Sequence, residues 1–365
     1  MRILLVSHPP LSPELGAAQV AVNLAQALSA RGHAALAWSP EPLPPSLHRW
    51  TRWTGQARAI GRFVADHGPF DVIDSPPISI GARWARQARV VARSVQPELL
   101  YLASNLRAQL VRPSHHTPVA VIQSALAARA VVRGWRRAAV ILSQGTLEYE
   151  WMRRRFPGLS PRLGRYVVAP SPGEQEALST VRRSRRRRPS GSGRRFLWIG
   201  RWSAQKGTRP LVRFIAERAG ACPGDSFTLA GCGEAAARDV PPRLLAEGRV
   251  RILPFFARGD LPGILAEHDA GLFTSVVEGW GLCLNEMLES GLEVYATPVG
   301  GVPDLAPLWG SMLRPFPPPL VEAGGGGGVE PDLEGYFARF SWPAIALHYE
   351  EAIGCSPRPG LACAS

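Results

Sequence analysis

The chain has 365 residues, of which 45% are hydrophobic and 19% charged, and this is enough length and apolar content for two α/β domains with buried cores. That composition excludes disorder of the whole chain. The net charge of +13 comes mostly from arginine, because Lys206 is the single lysine. Such a basic surface suits nucleic acid, an anionic membrane or phosphorylated substrates, and the charge alone does not choose among them.

The start of the chain and its cysteines indicate a cytoplasmic protein. Residues 3–6 form the only apolar run at the start, which is shorter than a signal peptide requires. No later run approaches the roughly 18 apolar residues of a membrane-spanning helix. The five cysteines form no C-x-x-C pair, and no histidine cluster has metal-ligand spacing. We therefore expect reduced thiols, no metal and a cytoplasmic location, with peripheral contact to the inner membrane face as an option.

Short apolar strands alternate with helical segments in the first half. A strand over 2–7, a turn that contains Gly16, an amphipathic helix over 17–31 and a strand over 34–38 form a βαβ unit. The first strand-to-helix turn of such a unit is a common ligand site. Further strands are predicted over 70–74, 90–94 and 138–143. Residues 1–180 are therefore predicted to form one Rossmann-like domain with a parallel sheet.

A basic stretch divides the chain. Residues 182–188 contain six arginines and are followed by a Ser/Gly segment. Their composition predicts a flexible, solvated linker over 181–195. A nucleic-acid-binding arm is the alternative, and we disfavour it because no interleaved aromatic residues or known nucleic-acid module accompany the run.

The strand–helix alternation then resumes and predicts a second α/β domain over 196–340. A last helix is predicted over 341–354, and it is assigned to the N-terminal domain. The predicted strands of the second domain cover residues 196–200, 226–230, 250–253, 270–274 and 293–297.

Two cations follow the first strand of the second domain. Arg201 and Lys206 lie between that strand and a helix that begins near Pro210. Charged groups at the carboxyl end of a strand point into the crevice where open α/β sheets bind ligands. Arginine can bind two phosphate oxygens at once and lysine adds a compact charge, so the pair suits a pyrophosphate leaving group. A solvated loop with two ordinary cations is the simpler interpretation.

A glycine-rich acidic motif follows the strand over 270–274. Glu278 lies on the loop and Glu286 lies one to two turns into the next helix, so they cannot form one carboxylate dyad. They can instead bind hydroxyl groups on separate parts of an extended ligand. The intervening residues supply backbone N–H groups close to an anion: Gly279, Trp280, Gly281 and Leu282. Helix capping and a surface glutamate are the alternative.

Together with a Gly300-Gly301 turn, these motifs resemble the GT-B-fold retaining glycosyltransferases, in particular glycosyltransferase family 4. The resemblance covers nearly the whole chain. The seven residues between Glu278 and Glu286 match the paired-glutamate motif of that family. The other matching segments are Ile199-Gly200-Arg201, Lys206-Gly207, Leu229 through Gly233, and Gly300 through Pro303.

The resemblance implies two Rossmann-like domains that face a central cleft, with the last helix crossing back to the N-terminal domain. It implies transfer of a sugar with retention, without a metal or other cofactor, from a nucleotide-sugar donor to a glycan, lipid-linked or small-molecule acceptor. Arg201 and Lys206 would hold the diphosphate, Glu278 the sugar and Glu286 the ribose. The expected donor-binding set also contains Gly279, Trp280, Gly281, Leu282, Gly16 and Gly231.

Two positions depart from the family pattern. Leu15-Gly16-Ala17 replaces a Gly-Gly turn, and Val95-Gln96 stands where His-Gly is expected. They leave open a protein that binds nucleotide sugars but has reduced or lost transfer. A dinucleotide oxidoreductase is disfavoured because no G-x-G-x-x-G follows the first strand.

Overall fold

The computed structural model describes residues 1–43, 52–111, 113, 115–185, 193–320 and 329–354. The chain divides into two compact units. The first contains residues 1–95, 125–168 and the segment from 338 onward. The second contains residues 96–124 and 169–337. Residues 96–124 and 169–180, predicted within the first domain, therefore group with the second unit.

The first unit is built on a six-stranded parallel sheet in the order β2-β1-β3-β4-β5-β6. The central strands are aliphatic and buried on both faces, as expected of a parallel sheet covered by helices. The strands are β1 Arg2–Val6, β2 Ala34–Trp38, β3 Val72–Ser75, β4 Arg89–Arg93, β5 Val140–Gln144 and β6 Leu163–Tyr166. The helices along this part of the chain are α1 Gly16–Ala30, α2 Arg52–His67, α3 Glu98–Val111, α4 Thr117–Arg137 and α5 Gly145–Arg155.

The last helix, α13 (Trp342–Ala352), belongs to the first unit. Glu350 accepts hydrogen bonds from Arg31 at 2.7 and 2.8 Å and lies 3.0 Å from His33 Nε2. The Tyr349 hydroxyl donates to Asp74 Oδ2 at 2.9 Å. The predicted return of the last helix to the N-terminal domain is confirmed.

The second unit contains a six-stranded parallel sheet in the order β12-β11-β10-β7-β8-β9. A core of aromatic and aliphatic side chains lies on this sheet, including the stacked rings of Phe196 and Phe227. The strands are β7 Arg195–Ile199, β8 Ser226–Ala230, β9 Val250–Leu253, β10 Ala270–Phe273, β11 Glu293–Ala296 and β12 Leu313–Pro315. The helices are α6 Pro172–Ser184, α7 Thr208–Ala221, α8 Pro242–Ala246, α9 Leu261–Ala266, α10 Leu282–Glu289, α11 Val302–Trp309 and α12 Leu333–Arg339.

The predicted linker is wrong over its first residues. Residues 181–184 are the end of α6, and Arg182 donates to the carbonyl oxygen of Glu289 at 2.8 Å. Arg185 donates to three carbonyl oxygens, those of Leu265, His268 and Ser290. These carbonyls lie at or just beyond the C-terminal ends of α9 and α10, where arginine side chains can satisfy helix-terminal carbonyl oxygens. The remaining arginines of the run, within 186–192, lie outside the described residues.

No helix in the described part of the chain has both the length and the apolarity needed to cross a bilayer. The cytoplasmic location stays a prediction.

Candidate functional site

The site lies where the strand order of the second sheet reverses. From β7 the chain proceeds to β8 and β9 on one side, and then β10 pairs with the other side of β7. The loops after β7 and β10 therefore leave the sheet next to each other, at the position where open α/β sheets bind ligands. Lys206 follows β7, and Glu278 follows β10.

Backbone contacts hold these two loops together. Gly207 has φ +67°, and a Cβ there would lie 1.8 Å from the Thr274 carbonyl oxygen, so only glycine fits. The Thr274 hydroxyl donates to the Lys206 carbonyl oxygen at 2.8 Å. The Val276 N–H donates to the Gln205 carbonyl oxygen at 2.7 Å. The glycine after Lys206 thus lets the cationic loop lie directly against the acidic one.

Lys206 and Glu278 form an ion pair at this contact. Lys206 Nζ donates to Glu278 Oε2, and the Ser275 hydroxyl donates to the same oxygen at 3.0 Å. Burial alone would lower the pKa of Lys206, but the charge of Glu278 outweighs it and the pKa is raised. The ammonium therefore stays charged, and its side chain remains 20% exposed. An ammonium has three N–H donors, so the pair leaves donors for a second anion.

A cavity of about 60 Å³ lies beside this ion pair. Cations and one carboxylate share its wall with neutral polar side chains, an arrangement that suits a phosphate joined to a hydroxyl-bearing group. Its lining comprises Gln96, Tyr101, Arg201, Ser203, Gln205, Lys206, Val277, Glu278 and Gly279. The three residues predicted to be catalytic, Arg201, Lys206 and Glu278, are thus brought together.

Glu286 lies on α10, the helix that follows the Glu278 loop, and its side chain is buried. Its Oε1 accepts from Arg258 at 2.7 Å, and the same guanidinium donates to Glu174 Oε1 at 2.6 Å. Burial raises the pKa of Glu286, and the charge of Arg258 opposes that rise. A single arginine therefore joins two carboxylates, one from α6 and one from α10.

The backbone between the two glutamates is fixed by packing. Gly281 has φ +88°, and a Cβ there would lie 2.6 Å from the Phe273 ring. The Trp280 indole is 1% exposed and donates to Asn285 Oδ1 at 2.6 Å. The Trp280 carbonyl oxygen accepts from the Gly301 N–H at 2.8 Å. The Trp280 side chain is therefore part of the core, and the predicted donor contacts of Gly279, Trp280, Gly281 and Leu282 stay predictions.

Two predicted donor contacts lie elsewhere. Gly231 follows β8 with φ +71°, and a Cβ there would lie 3.2 Å from the Phe256 ring. Gly16 is the first residue of α1 in the first unit. Both stay predictions.

Several residues at or near the site were missed by the sequence prediction. Arg258 donates to both Glu286 and Glu174, but these residues are far apart in sequence, and Ser171-x-x-Glu174 is also a helix capping box. Gln96 and Tyr101 come from the chain just before and within α3. A polar residue after a strand end is the only signal that Arg258 carried. Among the described residues, no group of three or more His, Cys, Asp or Glu side chains has a metal-site arrangement.

Comparison with known proteins supports the resemblance. Residues 193–309 match the family model described as Glycosyl transferases group 1. An uncharacterised glycosyltransferase of Bacillus subtilis, YqgM, is 29% identical over 143 residues, and this match covers 38% of each chain.

Solved structures match over nearly the full length. Sucrose-phosphate synthase from Thermosynechococcus elongatus has a TM-score of 0.62 at 16% identity, covering 96% of this chain and 94% of that one. Anabaena HepE, in complex with UDP-glucose, has a TM-score of 0.53 at 16% identity, covering 97% and 93%. The fold is that of the GT-B glycosyltransferases. The two parallel α/β units described above are its two Rossmann-like domains, and the cations and acids lie in the second GT-B domain.

Proposed function

We propose that this protein is a glycosyltransferase that moves a sugar from a nucleotide-sugar donor to a glycan, lipid-linked or small-molecule acceptor. The observation that carries the proposal is the convergence of Arg201, Lys206 and Glu278 on one cavity at the strand-order reversal of the second sheet. The family match over 193–309 covers these three residues. HepE, which shares the fold, is described with UDP-glucose bound, and this supports a nucleotide-sugar donor.

The arrangement suits departure of a diphosphate. As the bond between the anomeric carbon and the phosphate oxygen breaks, negative charge grows on that oxygen, and Arg201 and Lys206 stabilise it. Glu278 accepts hydrogen bonds from the sugar hydroxyl groups and orients the ring. The acceptor oxygen bonds to the same face of the anomeric carbon, and its proton goes to the departing phosphate oxygen. This route gives retention, needs no protein nucleophile, and leaves charge stabilisation to the two cations without a metal.

Glu286 is proposed to bind the nucleotide ribose. Arg258 holds the Glu286 carboxylate in place by donating to Oε1. The two hydroxyl groups of a ribose would donate to the acceptor positions of the carboxylate that Arg258 does not use.

A nucleotide-sugar-binding protein that has lost transfer is the second candidate. The Val95-Gln96 segment favours it, because it stands where the family resemblance places His-Gly, and the side chain that it contributes to the cavity is the uncharged amide of Gln96. An amide can hydrogen-bond a sugar or phosphate, but it cannot move a proton as an imidazole does.

The test is a screen of UDP-, GDP- and ADP-sugars with a broad acceptor panel, read by mass spectrometry of free and bound nucleotide. Transfer or donor hydrolysis that is lost in Lys206→Ala and Glu278→Ala supports the enzyme. Tight nucleotide binding without any turnover supports the binding protein. Turnover that both variants retain at the wild-type rate would contradict the proposed site.

A further inference from the structure

Helix α4 exposes large apolar side chains in its first half. Ile122 and Leu126 lie about one turn apart there and are 55% and 49% exposed. Val121, next to Ile122, is 40% exposed. Large apolar side chains that are exposed together on one helix mark an interaction surface.

The same stretch carries only positive charge. Between Glu98 and Glu148 the sequence contains no aspartate or glutamate, yet it contains six arginines. Arg129, Arg133 and Arg136 form no ion pair in the described part of the chain. Unpaired cations beside exposed apolar side chains are complementary to a surface that is apolar inside and anionic outside.

The spacing along α4 places both properties on one stripe. Ile122, Leu126, Arg129, Arg133 and Arg136 follow one another at intervals of four, three, four and three residues, so they lie along one side of the helix. All five are exposed. The stripe begins with apolar side chains and ends with three arginines.

The arginines also line a concave surface. An open concavity of about 470 Å³ lies against α4 and is lined by Ala128, Arg129, Val132, Arg133 and Arg136. Arginine binds phosphate oxygens through two parallel N–H groups, so this concavity suits phosphate-bearing groups.

We propose that the exposed stripe of α4 is a docking surface for an anionic lipid membrane. Ile122 and Leu126 enter the boundary between head groups and acyl chains, and Arg129, Arg133 and Arg136 bind the lipid phosphates. The apolar half of the surface favours a membrane over nucleic acid, since a nucleic-acid surface gains little from exposed Leu, Ile and Val side chains. We expect the protein to attach to the membrane reversibly, because one short apolar surface gives only marginal membrane affinity by itself.

The experiment is co-sedimentation of the full chain with vesicles of phosphatidylcholine that contain phosphatidylglycerol, and with vesicles of phosphatidylcholine alone. We expect binding to the anionic vesicles only, and weaker binding at higher salt. Arg129→Gln/Arg133→Gln should weaken it by roughly 25-fold, about fivefold for each arginine. Ile122→Asn/Leu126→Asn, which leaves the charge unchanged, should weaken it by about tenfold or more.

Two matched controls keep the test specific. Arg213→Gln/Arg243→Gln removes two exposed helix arginines from the second unit and should bind vesicles like the wild type. Leu347→Asn removes an exposed leucine of α13 and should also have no effect. Circular dichroism melting verifies that each variant is folded.

The proposal is overturned by equal binding to both kinds of vesicle, by no binding to either, or by wild-type binding of the Ile122→Asn/Leu126→Asn variant. Sedimentation velocity adds one further outcome. If that variant dissociates a wild-type oligomer and still binds vesicles normally, the surface joins two copies of this chain instead. None of these readings depends on a donor or on turnover.

Discussion

The two sheets share a parallel topology but differ in what lies where their strand order reverses. In the first unit the reversal is between β1 and β3, and there His8 Nε2 lies 2.6 Å from the hydroxyl oxygen of the buried Ser79. Burial lowers the pKa of His8 to about 4, so the imidazole is neutral. In the second unit the reversal holds the charged Lys206–Glu278 pair beside a cavity. The topology therefore supplies a position, and the residues decide whether it suits an anionic ligand.

The ion pairs of the two units differ in the same way. Arg93 and Asp74 lie 2.8 Å apart with side chains only 1% and 0% exposed, and Tyr349 also donates to Asp74. Lys206 and Glu278 keep 20% and 18% of their side-chain surface. A fully buried pair must be complete to be tolerated, whereas a partly exposed pair can exchange its partner for a ligand. We infer that the first pair stabilises the fold and the second binds donor.

The largest effect is expected from breaking the buried pair. Arg93→Ala leaves the buried Asp74 without its cation, which should lower the free energy of unfolding by about 3–5 kcal/mol in urea denaturation. Arg93→Met/Asp74→Leu removes both charges and should cost clearly less. If the single variant is as stable as the double variant, the pair does not have the role assigned to it.

The equivalent change in the second unit should affect activity instead of stability. Lys206→Ala should change the free energy of unfolding by about 1 kcal/mol or less, because its partner keeps contact with solvent. It should lower kcat/KM about 100-fold, which is roughly 3 kcal/mol of transition-state stabilisation. Glu278→Ala should act alike, and Arg213→Ala, at an exposed cation of α7, serves as the control. A loss of stability as large as that of Arg93→Ala would remove the contrast between the two pairs.

Each unit also contains one buried carboxyl group whose ionisation should make the stability of the protein depend on pH. Burial raises the pKa of Glu148 in the first unit and of Glu289 in the second to about 7 each, from 4.5. Each folded group therefore holds its proton more tightly than the unfolded one. Its stabilising contribution is complete below pH 4.5 and is lost as the pH rises to about 7.

Glu148→Gln and Glu289→Gln each remove one titrating carboxyl group, and with it the loss of stability that its ionisation causes as the pH rises. Relative to the wild type, each variant should gain on the order of 2 kcal/mol of stability between pH 4.5 and 7, and the two gains should add. The difference between variant and wild type cancels other groups that titrate there, such as His8. Urea unfolding at a series of pH values measures it. A difference that does not vary with pH would mean that folding does not raise the pKa of that carboxyl group.

The fold was largely predictable because buried parallel strands appear as apolar runs. All ten predicted strands are present within about two residues of their expected ends. The two that were missed, β6 and β12, are the outer strands of their sheets. Leu163–Tyr166 is only partly buried, and Leu313–Pro315 has three residues, one of them a proline, so neither resembles a core strand.

The site could be predicted only for residues that follow the end of a strand closely in sequence. Arg201, Lys206 and Glu278 are such residues. Arg258 reaches Glu286 across 28 positions, a distance that no local pattern encodes. Similarly, the arginines at 182 and 185 read as a solvated run because their carbonyl partners lie about 80 to 107 residues further on.

Gln96 offers the smallest and most discriminating test, since it is a neutral, hydrogen-bonding member of the cavity wall. If the amide binds the donor beside Arg201 and Lys206, Gln96→Ala should lower kcat/KM by about tenfold, which corresponds to one neutral hydrogen bond. Gln96→Glu, which keeps the size but adds a negative charge next to a phosphate, should be worse than alanine. Gln96→His would introduce a group that titrates near neutral pH, so the pH–rate profile should gain an inflection that the wild type lacks. Equal rates in all three variants would mean that Gln96 forms the wall of the cavity without contacting the donor, and the contrast between the units would then rest on the Lys206–Glu278 pair alone.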